Sequence, residues 1–227
     1  MSLKVCVFNS PPRGGKGVAA SHMKQVINNQ EGNLSDFHME FKDELFKLTA
    51  NFLGITVDEF LDGYDEKVVD FFNSGSIGMN YAFMEDGITE DSWLKDLPMY
   101  EFPDGVRRSK REALIYVSEN VIKPSFGEDA FGKALVAQLP ENGIVFVSDS
   151  GFPEELQPVI DHVGVENVLV VRIQREGCTF EGDSRSYLDP DMFEQDVKFL
   201  QILNNGTEDE FKSEVEEGVG AWMNENL

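Results

Sequence analysis

The residues of this 227-residue chain best suited to handle a phosphate group stand near its start, where positions 10–17 read S-P-P-R-G-G-K-G. Set against the phosphate-cradling pattern G-x-x-x-x-G-K-[ST], the stretch agrees at Gly15 and Lys16 and differs at Ser10 and Gly17. Gly14, Gly15 and Gly17 free the backbone to turn, so that amides from Arg13 through Val18 can converge on an anion while Lys16 neutralises its charge. The final position matters because a Ser or Thr hydroxyl there normally ligates magnesium, and Gly17 has none. Ser21 lies one helical turn further on, roughly 6 Å down the axis, and points away from the phosphates. Either water takes that metal position or metal-dependent catalysis is weakened. The plainer reading is a Gly-rich strand-to-helix turn with a solvated lysine.

Such a loop needs a buried strand before it and a helix after it. Residues 4–8 (KVCVF) supply the strand, residues 18–27 carry few helix breakers, and residues 37–39 offer a second short strand. Phe41, Leu45, Leu48 and Phe52 recur at helical spacing up to a stop at Gly54. Residues 62–105 show no sustained periodicity and read as broken helices and loops. Leu114, Val117 and Val121 mark another helix, and Phe131, Leu135 and Leu139 one more, ending near Pro140. Residues 144–147 (IVFV) and 168–173 (VLVVRI) are near-continuous apolar runs separated by a helix bearing Leu156, Val159, Ile160 and Val163. Strands buried on both faces look like this, and parallel sheets provide that environment. Residues 199–203 add a last strand, and Phe211, Val215, Val219 and Trp222 line a closing helix. The alternation predicts an α/β fold with a parallel sheet. A single domain over 1–227 is expected, with its core at about 1–35 and 141–227 and a helical excursion at about 36–140.

Nineteen Lys and Arg against 42 Asp and Glu give a net charge of −23, a field that repels phosphate backbones and anionic membranes. Direct nucleic-acid and membrane partners are therefore not expected. No apolar run approaches the ~20 residues of a membrane span, and the start lacks a signal-peptide build, so a cytoplasmic protein is expected. Cys6 in an apolar run and Cys178 in a polar loop do not suggest a disulfide, and His22, His38 and His162 are too scattered for a metal cage. Asp149 ends a strand, where open parallel sheets hold ligands; it is expected to orient magnesium through water or to hold the acceptor, or else to cap the helix at 153–163 or the turn before it. Phe37 and Met39 offer flat or soft surfaces for a base.

Taken in order along the chain, several segments resemble the bacteriophage deoxynucleoside monophosphate kinases, P-loop enzymes of the nucleoside monophosphate kinase group. Residues 10–17 stand at the phosphate loop and F-K-D-E-L (41–45) at the opening of the acceptor-side helix. S-K-R-E-A-L (109–114) puts Arg111 where the family binds the acceptor, and I-K-P-S-F-G-E-D-A-F (122–131) puts Lys123 where an arginine is usual. V-F-V-S-D-S-G-F-P-E-E (145–155) is similar to the family's strand-Asp-x-Arg segment, with Gly151 in place of the arginine. V-V-R-I-Q-R (170–175) precedes the lid, and N-N-G-T (204–207) leads into the last helix.

The resemblance implies a three-layer P-loop kinase-like fold with a helical acceptor-side insertion. It also implies transfer of the γ-phosphoryl of ATP to a deoxynucleoside monophosphate, with Mg2+ as cofactor. Lys16, Arg111, Arg172 and Asp149 would be catalytic, Asp149 also serving the metal. Arg13, Gly14, Gly15, Lys16, Gly17 and Val18 would hold ATP phosphates. Lys42, Arg111, Lys123 and Phe37 would bind the acceptor, and Arg175 and Arg185 would belong to the lid. Nucleotides would be the partners, a homodimer is left open, and the setting would be the host cytoplasm. Gly17 and Gly151 depart from the family pattern. They motivate a second reading, a kinase-derived fold that binds nucleotide without turnover; the net charge motivates a third, an acidic interaction protein.

Overall fold

The computed structural model describes residues 2–31, 38–62, 64 and 100–225. In chain order it begins with β1 (Lys4–Asn9), α1 (Lys16–Glu31), β2 (His38–Met39), α2 (Asp43–Leu53) and α3 (Val57–Leu61). There follow β3 (Tyr100–Glu101), β4 (Arg107–Arg108), α4 (Lys110–Val117), a π turn (Ser118–Ile122), α5 (Lys123–Phe126) and α6 (Ala130–Val136). The chain closes with β5 (Ile144–Ser150), α7 (Pro153–Val163), β6 (Val168–Gln174), β7 (Lys198–Leu203) and α8 (Glu208–Asn224). Two units are formed, one of Met1–Glu44 with Phe126–Leu227, the other of Leu45–Ser125. The second unit is narrower than the excursion expected at about 36–140. Residues 41–42 are tied to Asp149, and Gly132 lets α6 approach α7 so closely that a Cβ there would lie 2.1 Å from the Glu155 carbonyl.

The first unit holds a five-stranded parallel sheet in the order β2-β5-β1-β6-β7. β1 and β5 are buried along their whole length, which is why their centres, residues 5–8 and 144–147, are continuous apolar runs rather than alternating ones. Ala19, Ala20, Met23 and Ile27 of α1 pack with Phe211, Val215, Val219 and Trp222 of α8 and with Cys6, Phe8, Phe146 and Val171 of the sheet. Leu156, Val159 and Ile160 of α7 are likewise buried. The chain leaves β1 toward β2 and leaves β6 toward the opposite edge, so the connections diverge at the carboxyl ends of these two neighbouring strands. That divergence opens the crevice in which parallel α/β sheets receive ligands.

In the second unit Phe46, Phe60 and Tyr64 form one aromatic group, with centroids 5.3–5.9 Å apart. Phe102 lies against Phe52 and Tyr116. The Arg108 guanidinium covers both Phe102 and Tyr116 and is gripped by both oxygens of Asp104. α3, not foreseen, begins at a capping box in which Thr56 and Glu59 satisfy each other's backbone amides. The helix expected through Val121 loosens into the π turn because Pro124 cannot donate to the carbonyl four residues back. Most of the stretch expected as loop, residues 63 and 65–99, lies outside the described residues, as does Phe37. Among the described residues no helix is long and apolar enough to cross a membrane.

Lys4, 4% exposed, closes α8 from below: its Nζ donates to the carbonyls of Trp222 (3.1 Å), Met223 (2.8 Å) and Glu225 (2.8 Å). These carbonyls lie at the helix end, where intrahelical donors run out; that of Trp222 also accepts the Glu225 amide at 3.2 Å. Lys4→Met should therefore lower unfolding free energy by about 1–3 kcal/mol, read as a reduced urea midpoint at unchanged slope; an unaltered midpoint would show that the cap contributes nothing.

Candidate functional site

β1 hands over to α1 through a six-residue turn, 10–15, built on little room. The Gly14 amide donates to the Pro11 carbonyl at 3.1 Å, Arg13 adopts a left-handed φ of 63° and Gly15 a φ of 117°. A Cβ on Gly14 would sit 1.6 Å from Ser10 Oγ, and one on Gly15 would sit 2.6 Å from Asn204 Nδ2. The turn is braced from two sides. Asn204 Nδ2 donates to the Gly14 carbonyl at 2.9 Å while the Asn204 amide holds the Gln174 carbonyl, and Arg175 Nη1 donates to the Arg13 carbonyl at 3.2 Å. Lys16 opens α1 and folds its Nζ onto the carbonyls of Ser10 and Pro11, the latter at 3.0 Å. The cation thus faces the turn, and an anion arriving there meets it together with the N-terminus of a 16-residue helix. Gly17 differs from the other loop glycines: nothing lies within 4 Å of where its Cβ would be.

A second bracket forms at the end of β1. Asn9, fully buried, donates from Nδ2 to the carbonyls of Ser150 (3.1 Å) and Ser186 (3.0 Å) and accepts the Leu188 amide (2.9 Å). With the Ser186 amide donating to the Gly151 carbonyl at 3.2 Å, residues 183–189 are strapped across the carboxyl ends of β1 and β5. The strap carries the arginines' partners. Arg172, level with Asn9 in the sheet, pairs with Asp189 at 2.5 Å and lies 5.1 Å from the Tyr187 ring, while its buried Nε has no partner. Arg185 is held by both oxygens of Asp183, Nε at 2.9 Å and Nη2 at 2.6 Å. The structure thus sets Lys16 and Arg175 on the turn that follows β1, and through Asn9 ties the strap that bears Arg185 and the partner of Arg172 to the end of the same strand. Sequence reasoning missed Asn9 and read Asn204 only as part of a turn. The available signal was an Asn closing an apolar strand immediately before a Gly-rich loop.

Asp149 does other work. Its two oxygens accept the amides of Phe41 (2.8 Å) and Lys42 (3.0 Å), so this carboxylate fixes the turn between β2 and α2 rather than capping α7. Burial, with Glu40 as a neighbouring negative charge, pushes Asp149 up to about 6 against the pull of Lys42 and the two amides. Around it Ser148 Oγ donates to Glu40 Oε1 at 2.8 Å and meets His38 Nε2 at 2.8 Å, and Lys42 pairs with Glu40 at 3.5 Å.

Magnesium finds few protein ligands in this arrangement. Gly17 offers no oxygen, both Asp149 oxygens are engaged by main-chain amides, and no group of three or more His, Cys, Asp or Glu among the described residues is placed to hold a metal. The residues present do not fit a protein-ligated magnesium.

Arg111 and Lys123 belong to the second unit. Arg111 lies in the first turn of α4, within the Ser109–Glu112 capping box, and its buried Nε has no partner among the described residues. Lys123, its side chain 7% exposed, pairs with Glu119 at 2.8 Å. A scan against models of known protein families and a search of curated proteins both find no match.

Two predictions follow from this geometry. Gly14→Ala forces a collision in the turn and should destabilise by about 1–3 kcal/mol, whereas Gly17→Ala, which meets open space inside a helix, should stabilise by about 0.5–1 kcal/mol; thermal unfolding distinguishes them, and equal effects would contradict the assigned contacts. For Asp149 the folded state binds the proton more tightly than the unfolded chain, so its contribution is fully present below pH 3.8 and is lost as pH rises through about 6. Against Asp149→Asn, the wild-type protein should lose on the order of 2–3 kcal/mol between pH 4 and 7, measured by urea unfolding across pH; parallel curves would refute it.

Proposed function

We propose that the turn at 10–18 binds the phosphate chain of ATP and that the protein transfers the γ-phosphoryl to a deoxynucleoside monophosphate. The observation that carries this reading is a braced Gly-rich turn bearing Lys16 and Arg175 at the carboxyl end of the central strand, where Asn9 also ties down the strap that holds Arg185 and the partner of Arg172. Phosphoryl transfer asks little covalent work of a protein; positioning and charge neutralisation supply most of the catalysis. An oxygen of the acceptor phosphate attacks the γ-phosphorus in line, the bond from that phosphorus to the β–γ bridging oxygen breaks, and ADP departs with the electron pair. Amides of the turn and Lys16 hold the β- and γ-phosphates, and the arginines at the strand end neutralise charge on the transferring group. Lys42, Arg111, Lys123 and Phe37 remain the residues proposed for the acceptor. No step is assigned to a protein-ligated magnesium.

A second reading, nucleotide binding without turnover, is supported by the engagement of both Asp149 oxygens and by the missing hydroxyl at Gly17. A coupled assay of ADP release with each of the four common deoxynucleoside monophosphates separates the two. Turnover should depend on Lys16, with Lys16→Ala reducing it by roughly 100-fold or more. Equal background release by both proteins would reject catalysis at this turn, and calorimetric ATP binding without release would select the second reading.

A further inference from the structure

Gly151 is not required by backbone conformation, since its φ is not among the positive ones; it is required by space. A Cβ at this position would stand 2.4 Å from Arg185 Cβ, 2.6 Å from Cγ and 2.9 Å from Cδ, so the stem of Arg185 lies directly on the glycine. The same strap is fixed there by the Ser186 amide on the Gly151 carbonyl and by Asn9 on either side of Tyr187. The root of Arg185 is therefore pinned, and its guanidinium end is the part that can exchange partners. That end is occupied by Asp183, whose side chain is 9% exposed and whose two oxygens take Nε and Nη2 in the fork-to-fork geometry a phosphate edge also offers. Beside the glycine, Ser150 is fully buried and its Oγ has no partner among the described residues, nor has the buried Nε of Arg172. Buried polar groups of this kind call for a ligand or ordered water.

We infer that Asp183 is an internal stand-in for a phosphate group: it holds Arg185 across Gly151 in the empty protein and yields that guanidinium to the phosphate chain of a bound nucleotide. The inference rests on the reading that this unit takes a nucleotide. Its consequence is a self-imposed reduction in affinity, because only the fraction of molecules with Arg185 released from Asp183 is fully competent to bind. Gly151 is the positioning element, since any side chain there displaces the Arg185 stem.

The test is calorimetric titration of the full chain with ATP at fixed ionic strength. Asp183→Asn should tighten binding by about 3–10-fold, and Arg185→Gln should weaken it by a similar factor and abolish the effect of Asp183→Asn in the double variant. Glu217→Gln, which removes an exposed charge from α8, controls for net charge and should leave affinity within twofold, estimated from the weakness of exposed charges, roughly. Gly151→Ala should weaken binding as Arg185→Gln does; if that variant does not fold, the Asp183 and Arg185 cycle decides alone. Binding by Asp183→Asn no tighter than that of Glu217→Gln, or an Arg185→Gln effect that simply adds to it, overturns the inference. If Lys16→Ala abolishes binding while Arg185→Gln leaves it unchanged, the nucleotide reading stands and the stand-in falls. A wild-type protein that binds no ATP removes both.

Discussion

The structure depends on a turn into which no side chain fits. Between the buried end of β1 and the first residue of α1, Gly14 lies against Ser10 and Gly15 against Asn204 and Phe211, at separations that exclude even a methyl group. This closeness brings the start of α1 to the carboxyl end of the central strand, where the connections of the sheet diverge. Asn204 from the end of β7 and Arg175 from just beyond β6 then hold the turn's carbonyls, so two further strands are committed to its shape. The polar bracket around Asn9 does the same for the strap at 183–189. Each is a buried amide side chain hydrogen-bonded to main chain far along the sequence, an arrangement that costs much if one partner is removed.

Charge is the second constraint. With 42 acidic and 19 basic residues, the cations of the first unit proposed to meet an anion rest on an acid or a carbonyl. Arg172 rests on Asp189, Arg185 on Asp183, Lys42 on Glu40, and Lys16 on the carbonyls of its own loop. An acidic protein that handles phosphate must exchange these internal partners for the ligand. The electrostatic gain on binding is then the difference between two paired states rather than the full attraction of an unpaired cation. The strap is the natural place for that exchange because it carries both the arginine of one pair and the aspartates of two.

Much of the fold was legible. The apolar runs at 4–8, 144–147 and 168–173 are central strands, since strands buried on both faces cannot alternate, and the helical spacing of Phe211, Val215, Val219 and Trp222 marks the closing helix. β5 continues to Ser150 although Ser148, Asp149 and Ser150 look like a polar loop; Ser150 pairs with Asn9 beyond an irregularity in the register, the side chains of Ser148 and Asp149 find partners at residues 38–42, and that of Ser150 is sealed in. α3 escaped notice because five residues carry no periodicity, and only the Thr56 to Glu59 spacing announced it. Of the site, the turn, Lys16 and the basic end of β6 could be read from residue type and order. The roles of Asn9, Asn204, Asp183 and Gly151 could not, because each acts through a contact with residues far along the chain. Asp149 was read as orienting magnesium through water or holding the acceptor, on the strength of its position at a strand end; its bonds to the amides of Phe41 and Lys42, 108 and 107 residues away, could not be read from the sequence.

The central claim is that main-chain amides from Gly14 to Val18, with Lys16, grip a nucleotide's phosphates. Two-dimensional amide NMR during titration with a non-hydrolysable ATP analogue addresses it most directly. The account requires the largest shifts at Gly14, Gly15, Lys16, Gly17 and Val18, with smaller ones along 183–189. Shifts confined to other surfaces, or none at saturating nucleotide, would contradict it.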